Sequence, residues 1–300
     1  MPTTLTSMKT PMYKVLITGE NGQLGSELKE LSSSYSQHEF TFVDRNTLDL
    51  SNLCKLEDYF DNKTFDVIIN CAAYTAVDKA QSESDLADTI NHRAVSLLAK
   101  IAKKKNISFI HISTDYVFDG KNYRPYIETD TTDPQGAYGL TKRDGENAIL
   151  DVAPKNTIII RTSWVYSSFG NNFVKTMLRL GKERDSLGVI FDQVGTPTYA
   201  RDLAKTILNI LPQIKNESPE IYHYSNEGVA SWYDFTQSIF ELTGIDCNVN
   251  AITAEEYPLP APRPHYSLLN KAKIKNDFGI TIPYWKNSLK QCLKHLGEKV

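Results

Sequence analysis

A chain of 300 residues with 41% hydrophobic and 23% charged side chains has room for one large domain or two moderate ones and the balance of an ordinary globular protein. Its net charge of -3 gives no footprint for nucleic acid, and no apolar run approaches the roughly 18 residues of a membrane span, so neither is an expected partner. Cys54, Cys71, Cys247 and Cys292 are scattered, the six histidines form no H-E-x-x-H pair, and the expectation is free thiols in a cytoplasmic protein without catalytic zinc.

Residues 1–12 are polar and threonine-rich and read as a leader outside the fold. Lys14 to Thr18 (KVLIT) is a buried first strand stopped by Gly19, and Ser26 to Leu31 opens a helix. Phe40 to Val43 is a second strand, Leu53 to Phe60 a helix, and Asp66 to Asn70 a third strand. Apolar residues at Leu86, Ile90, Ala94, Leu97, Leu98 and Ile101 carry a helical period, which predicts one long helix over Asp85 to Lys104. A strand at Ser108 to Ile112, a helix at Tyr138 to Ile149 and a strand at Thr157 to Arg161 follow. This alternation requires crossovers and a parallel sheet, so the expected class is α/β, a Rossmann-type doubly wound sheet over 13–165. After Trp164 the pattern is irregular. Helices are predicted at Phe173–Leu180, Ala200–Leu211, Trp232–Leu242 and Trp285–Leu296, with short strands near Val189 and Tyr222 and a proline-rich loop at Pro258–Pro264. Residues 166–300 are therefore expected to form mainly a smaller α+β substrate lobe, with some segments returning to the first domain.

Gly19, Gly22 and Gly25 make a G-x-x-G-x-x-G turn between a strand and a helix, the setting of a dinucleotide pyrophosphate site. Asn21, Gln23 and Leu24 lie within that turn. Asp44 ends the second strand about 20 residues on, where an acidic side chain meets the adenosine ribose. Asp44 favours NAD and the adjacent Arg45 favours NADP, and the residues alone leave both open. Asp49 and Leu50 follow, and Cys71, Ala72, Ala73 and Tyr74 leave the third strand at its carboxyl end, where a doubly wound sheet holds its ligand. These complete the candidate cofactor set.

Two Y-x-x-x-K pairs occur, Tyr59–Lys63 and Tyr138–Lys142. Tyrosine and lysine four apart share a helix face, and an ammonium beside a phenol lowers its pKa from about 10. No hydroxyl-bearing strand end precedes Tyr59, which reads as a decoy. Tyr138 follows Thr114 by 24 residues, and Thr114 sits just past a strand. Both can reach the carboxyl edge of the sheet. Tyr138 is the expected proton donor to a carbonyl that receives hydride, Lys142 its modulator, and Thr114 a hydrogen-bond donor to the same oxygen. Asn91 is a candidate support for Lys142 or a solvated polar residue.

GENGQLG, CAAYTAVDKA, STDYVFDG, YGLTK, RTSWVYSSFGNNFVKTMLRLGKER, DQVGTPT and RPHYSLLN stand in an order that resembles the extended short-chain dehydrogenase/reductases, and within them the family of dTDP-4-dehydrorhamnose reductases. The resemblance spans nearly all of residues 13–296. It implies reduction of the C4 keto group of dTDP-4-dehydro-L-rhamnose to dTDP-L-rhamnose, with NADP(H) preferred and NAD(H) possible. It implies Thr114, Tyr138 and Lys142 as catalytic, and Thr114, Asp115 and Trp164 at the sugar. Asn172, Gln193 and Arg263 are the candidates for the nucleotide diphosphate of a dTDP-sugar. Some relatives use Mg²⁺ at a dimer interface through a glutamate on the first helix. Glu27 matches that position, while the remaining acidic ligands have no counterpart by motif, and a monomer and a homodimer both stay open. A sugar-nucleotide dehydratase carries Thr-Asp-Glu after the strand. Tyr116 stands in place of that glutamate and is a poor base for elimination. A related epimerase remains open, and a non-catalytic regulatory subunit is expected to lose the tyrosine or the lysine.

Overall fold

The computed structural model describes residues 12–300; residues 1–11 of the expected leader lie outside them. Strands and helices alternate through β1 (Lys14–Thr18), α1 (Gln23–Leu31), β2 (Glu39–Val43), α2 (Leu53–Tyr59), β3 (Val67–Asn70), α3 (Ser84–Asp88), α4 (Ala94–Lys105), β4 (Ser108–Thr114), α5 (Ala137–Val152) and β5 (Thr157–Thr162). Then come β6 (Val165–Tyr166), α6 (Phe173–Glu183), β7 (Ser186–Ile190), β8 (Val194–Gly195), β9 (Thr198–Tyr199), α7 (Ala200–Ile210) and β10 (Glu220–His223). The chain ends through β11 (Ala230–Ser231), α8 (Trp232–Thr243), β12 (Asn248–Ile252), α9 (Ala272–Phe278) and α10 (Trp285–His295).

Six strands form one parallel sheet in the order β2-β1-β3-β4-β5-β10. Its strands are apolar on both faces because helices cover both. Val15, Ile17, Ile69 and Ile110 pack toward Leu28 of α1 and Leu203 and Ile207 of α7. Leu16, Ile68, Phe109 and Ile159 pack toward Leu98 of α4 and Ile149 of α5. The chain reverses its direction across the sheet between β1 and β3, which opens a crevice at their carboxyl ends. A separate core of Val174, Leu178, Phe235, Ile239 and Leu289 joins α6, α8 and α10 over the parallel pair β7–β12. Among the described residues, no helix is long and apolar enough to cross a membrane.

Two elements differ from the sequence expectation. The single helix predicted over Asp85–Lys104 is split by a π-helical turn at Thr89–Arg93. That turn swings Asn91 inward, where it is 1% exposed rather than solvated. A Cβ on Gly145 of α5 would lie 2.2 Å from the Asn91 carbonyl oxygen, so α5 seats against the turn only because that position is glycine. The strand expected near Tyr222 becomes the sixth strand of the main sheet, paired with β5 from Glu220↔Ile158 to His223↔Arg161.

Candidate active site

The turn after β1 is shaped by its glycines. Gly19 has φ +73°, and a Cβ on Gly25 would lie 2.2 Å from the Gly19 carbonyl oxygen. The first turn of α1 thus lies directly against the loop, with its free backbone N–H groups at the mouth of the crevice. A cleft of about 860 Å³ opens there, lined by Gly19, Asn21, Gly22, Gln23 and Leu24. The ends of the other strands and the segments after them add Asp44, Arg45, Asp49 and Leu50, then Cys71 to Tyr74, then Thr114 and Asp115, and Trp164, and α5 adds Tyr138 and Lys142. Every expected cofactor residue therefore lies in one cleft except Gly25, which supports the turn from beneath. Tyr59 and Lys63 are elsewhere, with the Lys63 ammonium 3.4 Å from the centre of the Tyr59 ring.

Asp44 accepts from the Thr47 backbone N–H at 2.9 Å, from Thr47 Oγ1 at 3.0 Å and from Asn46 Nδ2 at 3.1 Å. These bonds hold its carboxyl below the usual range, and Asn21 Nδ2 of the glycine turn also reaches Oδ2 at 3.4 Å. The Arg45 side chain is 73% exposed, and its guanidinium lies 3.6 Å from Asp49. At an exposed site such a pair is weak, so the guanidinium is free to meet another anion.

At the reacting end, Thr114 Oγ1 donates to Asp115 Oδ1 at 3.0 Å and accepts from the Tyr116 N–H at 3.2 Å. Burial pushes the Asp115 carboxyl up to about 7 against the Thr114 hydrogen bond. Burial pushes the Tyr138 phenol up to about 12, opposed by hydrogen bonding to Thr114. The Tyr138 ring meets Tyr116 edge-on at 5.4 Å. Lys142 is 2% exposed; its ammonium donates to the Ile112 carbonyl at 2.6 Å and lies 3.3 Å from His111 Nε2. The expected lowering of the Tyr138 pKa by Lys142 is therefore not what this arrangement gives. Lys142 is turned to β4, burial dominates, and Tyr138 stays a phenol through neutral pH. Burial also brings Lys142 down to about 8. Asn91 accepts from the Tyr74 N–H at 2.9 Å and donates to the Tyr74 carbonyl at 3.0 Å and to Thr141 Oγ1 at 3.2 Å. It clamps the loop after β3 to α5, one residue from Lys142.

Trp164 has the left-handed φ of +48°, costly for a bulky side chain, and its indole stacks on Trp232 at 3.6 Å and 8°. Trp164 is among the residues that line the cleft.

Four further expected residues lie outside the cleft lining and are placed by contacts within the fold. Asn172 caps α6, accepting from the Lys175 N–H at 3.2 Å and donating to the Ser167 carbonyl at 2.7 Å and Gln23 Oε1 at 3.0 Å, so its amide is committed inside the fold. Gln193 is buried beside the Val194–Tyr266 bridge and is not among the cleft-lining residues. Arg263 is also outside that lining; it donates to Asp78 Oδ2 at 2.8 Å and so pins the proline-rich loop to the segment after β3. Glu27 is fully buried. It accepts from Ser167 Oγ at 2.6 Å and pairs with Arg201 at 3.0 Å, so its carboxylate already has a cationic partner. Among the described residues, no group of three histidine, cysteine, aspartate or glutamate side chains could hold a metal.

Sequence reasoning missed Thr75 to Val77, Thr162, Ser163 and Val165, which also line the cleft. Their signal was position alone, since they lie at or just after the carboxyl ends of β3 and β5.

The family described as RmlD substrate binding domain matches residues 13–298. The chain is 43% identical over 289 residues to the dTDP-4-dehydrorhamnose reductase of Aggregatibacter actinomycetemcomitans, covering 93% of this chain and 98% of that protein. It is similar to the crystal structure of a dTDP-4-dehydrorhamnose reductase from Clostridium acetobutylicum, with TM-score 0.89, 44% identity and coverage of 95% and 99%. A Bacillus anthracis structure of dTDP-4-dehydrorhamnose reductase in complex with NADP also has TM-score 0.89, at 35% identity and coverage of 95% and 100%.

Proposed function

We propose, from the premise that this chain belongs to the RmlD substrate binding domain family, how its cleft carries out the NAD(P)H-dependent reduction of dTDP-4-dehydro-L-rhamnose to dTDP-L-rhamnose. The observation that carries the reading is convergence. Thr114, Tyr138 and Lys142 come from β4 and α5 and meet, in one cleft, the glycine turn of β1–α1 and Trp164.

The close-packed turn at Gly19–Gly25 fits a dinucleotide, because backbone N–H groups at the start of α1 are the natural partners of a pyrophosphate. Gly22 to Leu24, Leu50 and Cys71 to Tyr74 would hold it, and when bound it supplies hydride. We favour NADPH over NADH on the state of the second-strand turn: both Asp44 oxygens already accept hydrogen bonds, from Thr47, Asn46 and Asn21, and Arg45 is exposed.

Tyr138 is the proton donor. A donor must be protonated before reaction, and burial keeps the phenol so. Thr114 hydrogen-bonds the oxygen on which charge develops. Asp115 serves Thr114: below about pH 7 its buried carboxyl carries a proton that it can donate to Thr114 Oγ1, leaving the threonine hydroxyl proton for the substrate oxygen. Trp164 offers an apolar face to a pyranose. Arg263 would reach a diphosphate by exchanging its partner Asp78.

The experiment is oxidation of NADPH and NADH by the purified protein with dTDP-4-dehydro-L-rhamnose, with the sugar product identified. Formation of dTDP-L-rhamnose with one cofactor oxidised per sugar is the expected result. A protein that binds cofactor without turnover would be a regulatory relative instead.

A further inference from the structure

Beneath the cleft floor, one array of buried polar side chains crosses three strands and ends at Lys142. The Ala72 N–H donates to Thr18 Oγ1 at 3.2 Å, and Thr18 Oγ1 lies 2.6 Å from Asn70 Oδ1. Asn70 Nδ2 lies 3.1 Å from His111 Nδ1, and His111 Nε2 lies 3.3 Å from Lys142 Nζ. Thr18, Asn70, His111 and Lys142 are each no more than 2% exposed. Side chains so buried must satisfy one another.

The protons in this array follow from its closed end. The Ala72 N–H can only donate, so Thr18 Oγ1 accepts there. The hydroxyl proton of Thr18 then needs an acceptor, and Asn70 Oδ1 is the one in reach. That orientation sends the Asn70 amide N–H toward His111 Nδ1, which must carry a lone pair. Burial holds His111 well below its ordinary pKa, so the ring is neutral. A neutral imidazole has one N–H, and here it falls on Nε2, facing Lys142. An N–H facing a nitrogen is favourable when that nitrogen keeps a lone pair and unfavourable when it is an ammonium.

We propose that Thr18, Asn70 and His111 form a hydrogen-bond relay that presents His111 Nε2–H to Lys142 and stabilises Lys142 as the neutral amine. His111 is then a positioning residue of the reductase site. The other titratable groups facing Lys142 are Glu146 on α5 and Cys71 on the loop after β3. Glu146 and Cys71 act toward the ammonium, and burial acts against it and prevails. Glu146 is itself engaged by Arg161 at 2.6 Å, which weakens its hold. A lysine held in this way passes between ammonium and amine near pH 8, so the positive charge it brings to the cleft falls as pH rises through that range. The ammonium gives its proton to solvent, and the lone pair of the amine then accepts a hydrogen bond from His111 Nε2–H. The bearing of that charge on turnover rests on the reductase reading, whereas the relay itself does not.

The test follows Lys142 directly, by side-chain NMR titration of the full-length protein labelled at lysine, with the Lys142 resonance assigned by its loss in Lys142→Met. Thr18→Val removes the hydroxyl that fixes the Asn70 amide without adding charge, and the Lys142 titration should rise; Thr18→Ser should restore it. Asn70→Asp cannot donate to His111 Nδ1 and draws the ring proton to that side, so the rise should reach at least tenfold in proton affinity. A Lys142 titration unmoved or lowered in both Thr18→Val and Asn70→Asp overturns the relay, and where Asn70→Asp does not fold the Thr18 pair decides alone. The same variants should move the corresponding limb of the kcat/KM–pH profile; a role in folding alone would lower activity equally at all pH. Absence of turnover of the dTDP-sugar by the wild-type protein, with the NMR shifts as expected, would remove the reductase reading and leave the relay standing.

Discussion

Asp115→Asn isolates the energetic consequence of a carboxyl buried at the reacting end of the cleft. Asp115 is 3% exposed, its Oδ1 is met by Thr114, and its Oδ2 has no hydrogen-bond partner among the described residues. Burial lifts its pKa from 3.8 to about 7. A carboxyl whose folded pKa exceeds its unfolded value stabilises the fold through its neutral form; that stability is complete below about pH 4 and is lost as pH rises through 7. Between pH 5 and pH 8.5 the unfolded chain is already ionised while the folded one must become so. Two pH units of mismatch correspond to about 2.7 kcal/mol. The carboxamide of the variant cannot ionise, so the variant should escape that decline. Urea unfolding of both proteins at pH 5 and pH 8.5 measures it as a double difference, from which pH-independent contacts and all shared titrations cancel. The variant should gain on the wild type by about 2 to 3 kcal/mol across the interval, seen also as a relative rise in Tm of roughly 5–10 °C. Parallel pH dependence in the two proteins, within about 0.5 kcal/mol, would refute the reasoning and with it the supply of a proton from Asp115 to Thr114.

Tyr138→Phe should lower kcat by about 10²-fold or more, the usual effect of losing a positioned general acid, with cofactor binding by fluorescence titration largely retained; Tyr59→Phe should be close to silent, and normal turnover by the Tyr138→Phe variant would remove the assignment. Arg45→Ala should raise KM for NADPH more than for NADH, while an equal rise for both would mean that Arg45 does not meet the 2′-phosphate. Glu146→Gln leaves the Arg161 guanidinium, 3% exposed at its side chain, without its anion, and should cost about 3–5 kcal/mol in urea unfolding. Glu146→Leu combined with Arg161→Met should cost less than Glu146→Gln alone, and a single-variant cost under about 1 kcal/mol would show that the pair is solvated. Glu27→Gln should likewise lower stability through Arg201 and Ser167, and EDTA should leave the wild-type rate unchanged; a rate restored by Mg²⁺ after chelation would return Glu27 to the role of a ligand.

The strand–helix alternation, the glycine turn and the pairing of Tyr138 with Lys142 were legible in the sequence because each depends on local periodicity or on spacing within one element. KVLIT and TIIIR are apolar on both faces, which by itself demands a covered parallel sheet. Thr114 was legible because the end of a strand is set by its own residues. What the side chains do when they arrive was decided by tertiary structure. Asn172, Arg263 and Glu27 carry the right chemistry for a diphosphate or a metal, yet Gln23, Asp78 and Arg201 reach them first, and none of those neighbours can be inferred from spacing across 149 to 185 residues of chain. The sixth strand is a similar case: Glu220–His223 reads as a short isolated run until β5 offers it an edge. The state of Lys142 is the furthest from the sequence. A Y-x-x-x-K pattern places its ammonium on the face of Tyr138, but depth of burial and the imidazole of His111, contributed by a different element, determine where its proton resides. Periodicity fixes which face a residue occupies, whereas charge and hydrogen bonding inside a low-dielectric core depend on which partners the whole fold brings within about 3 to 4 Å.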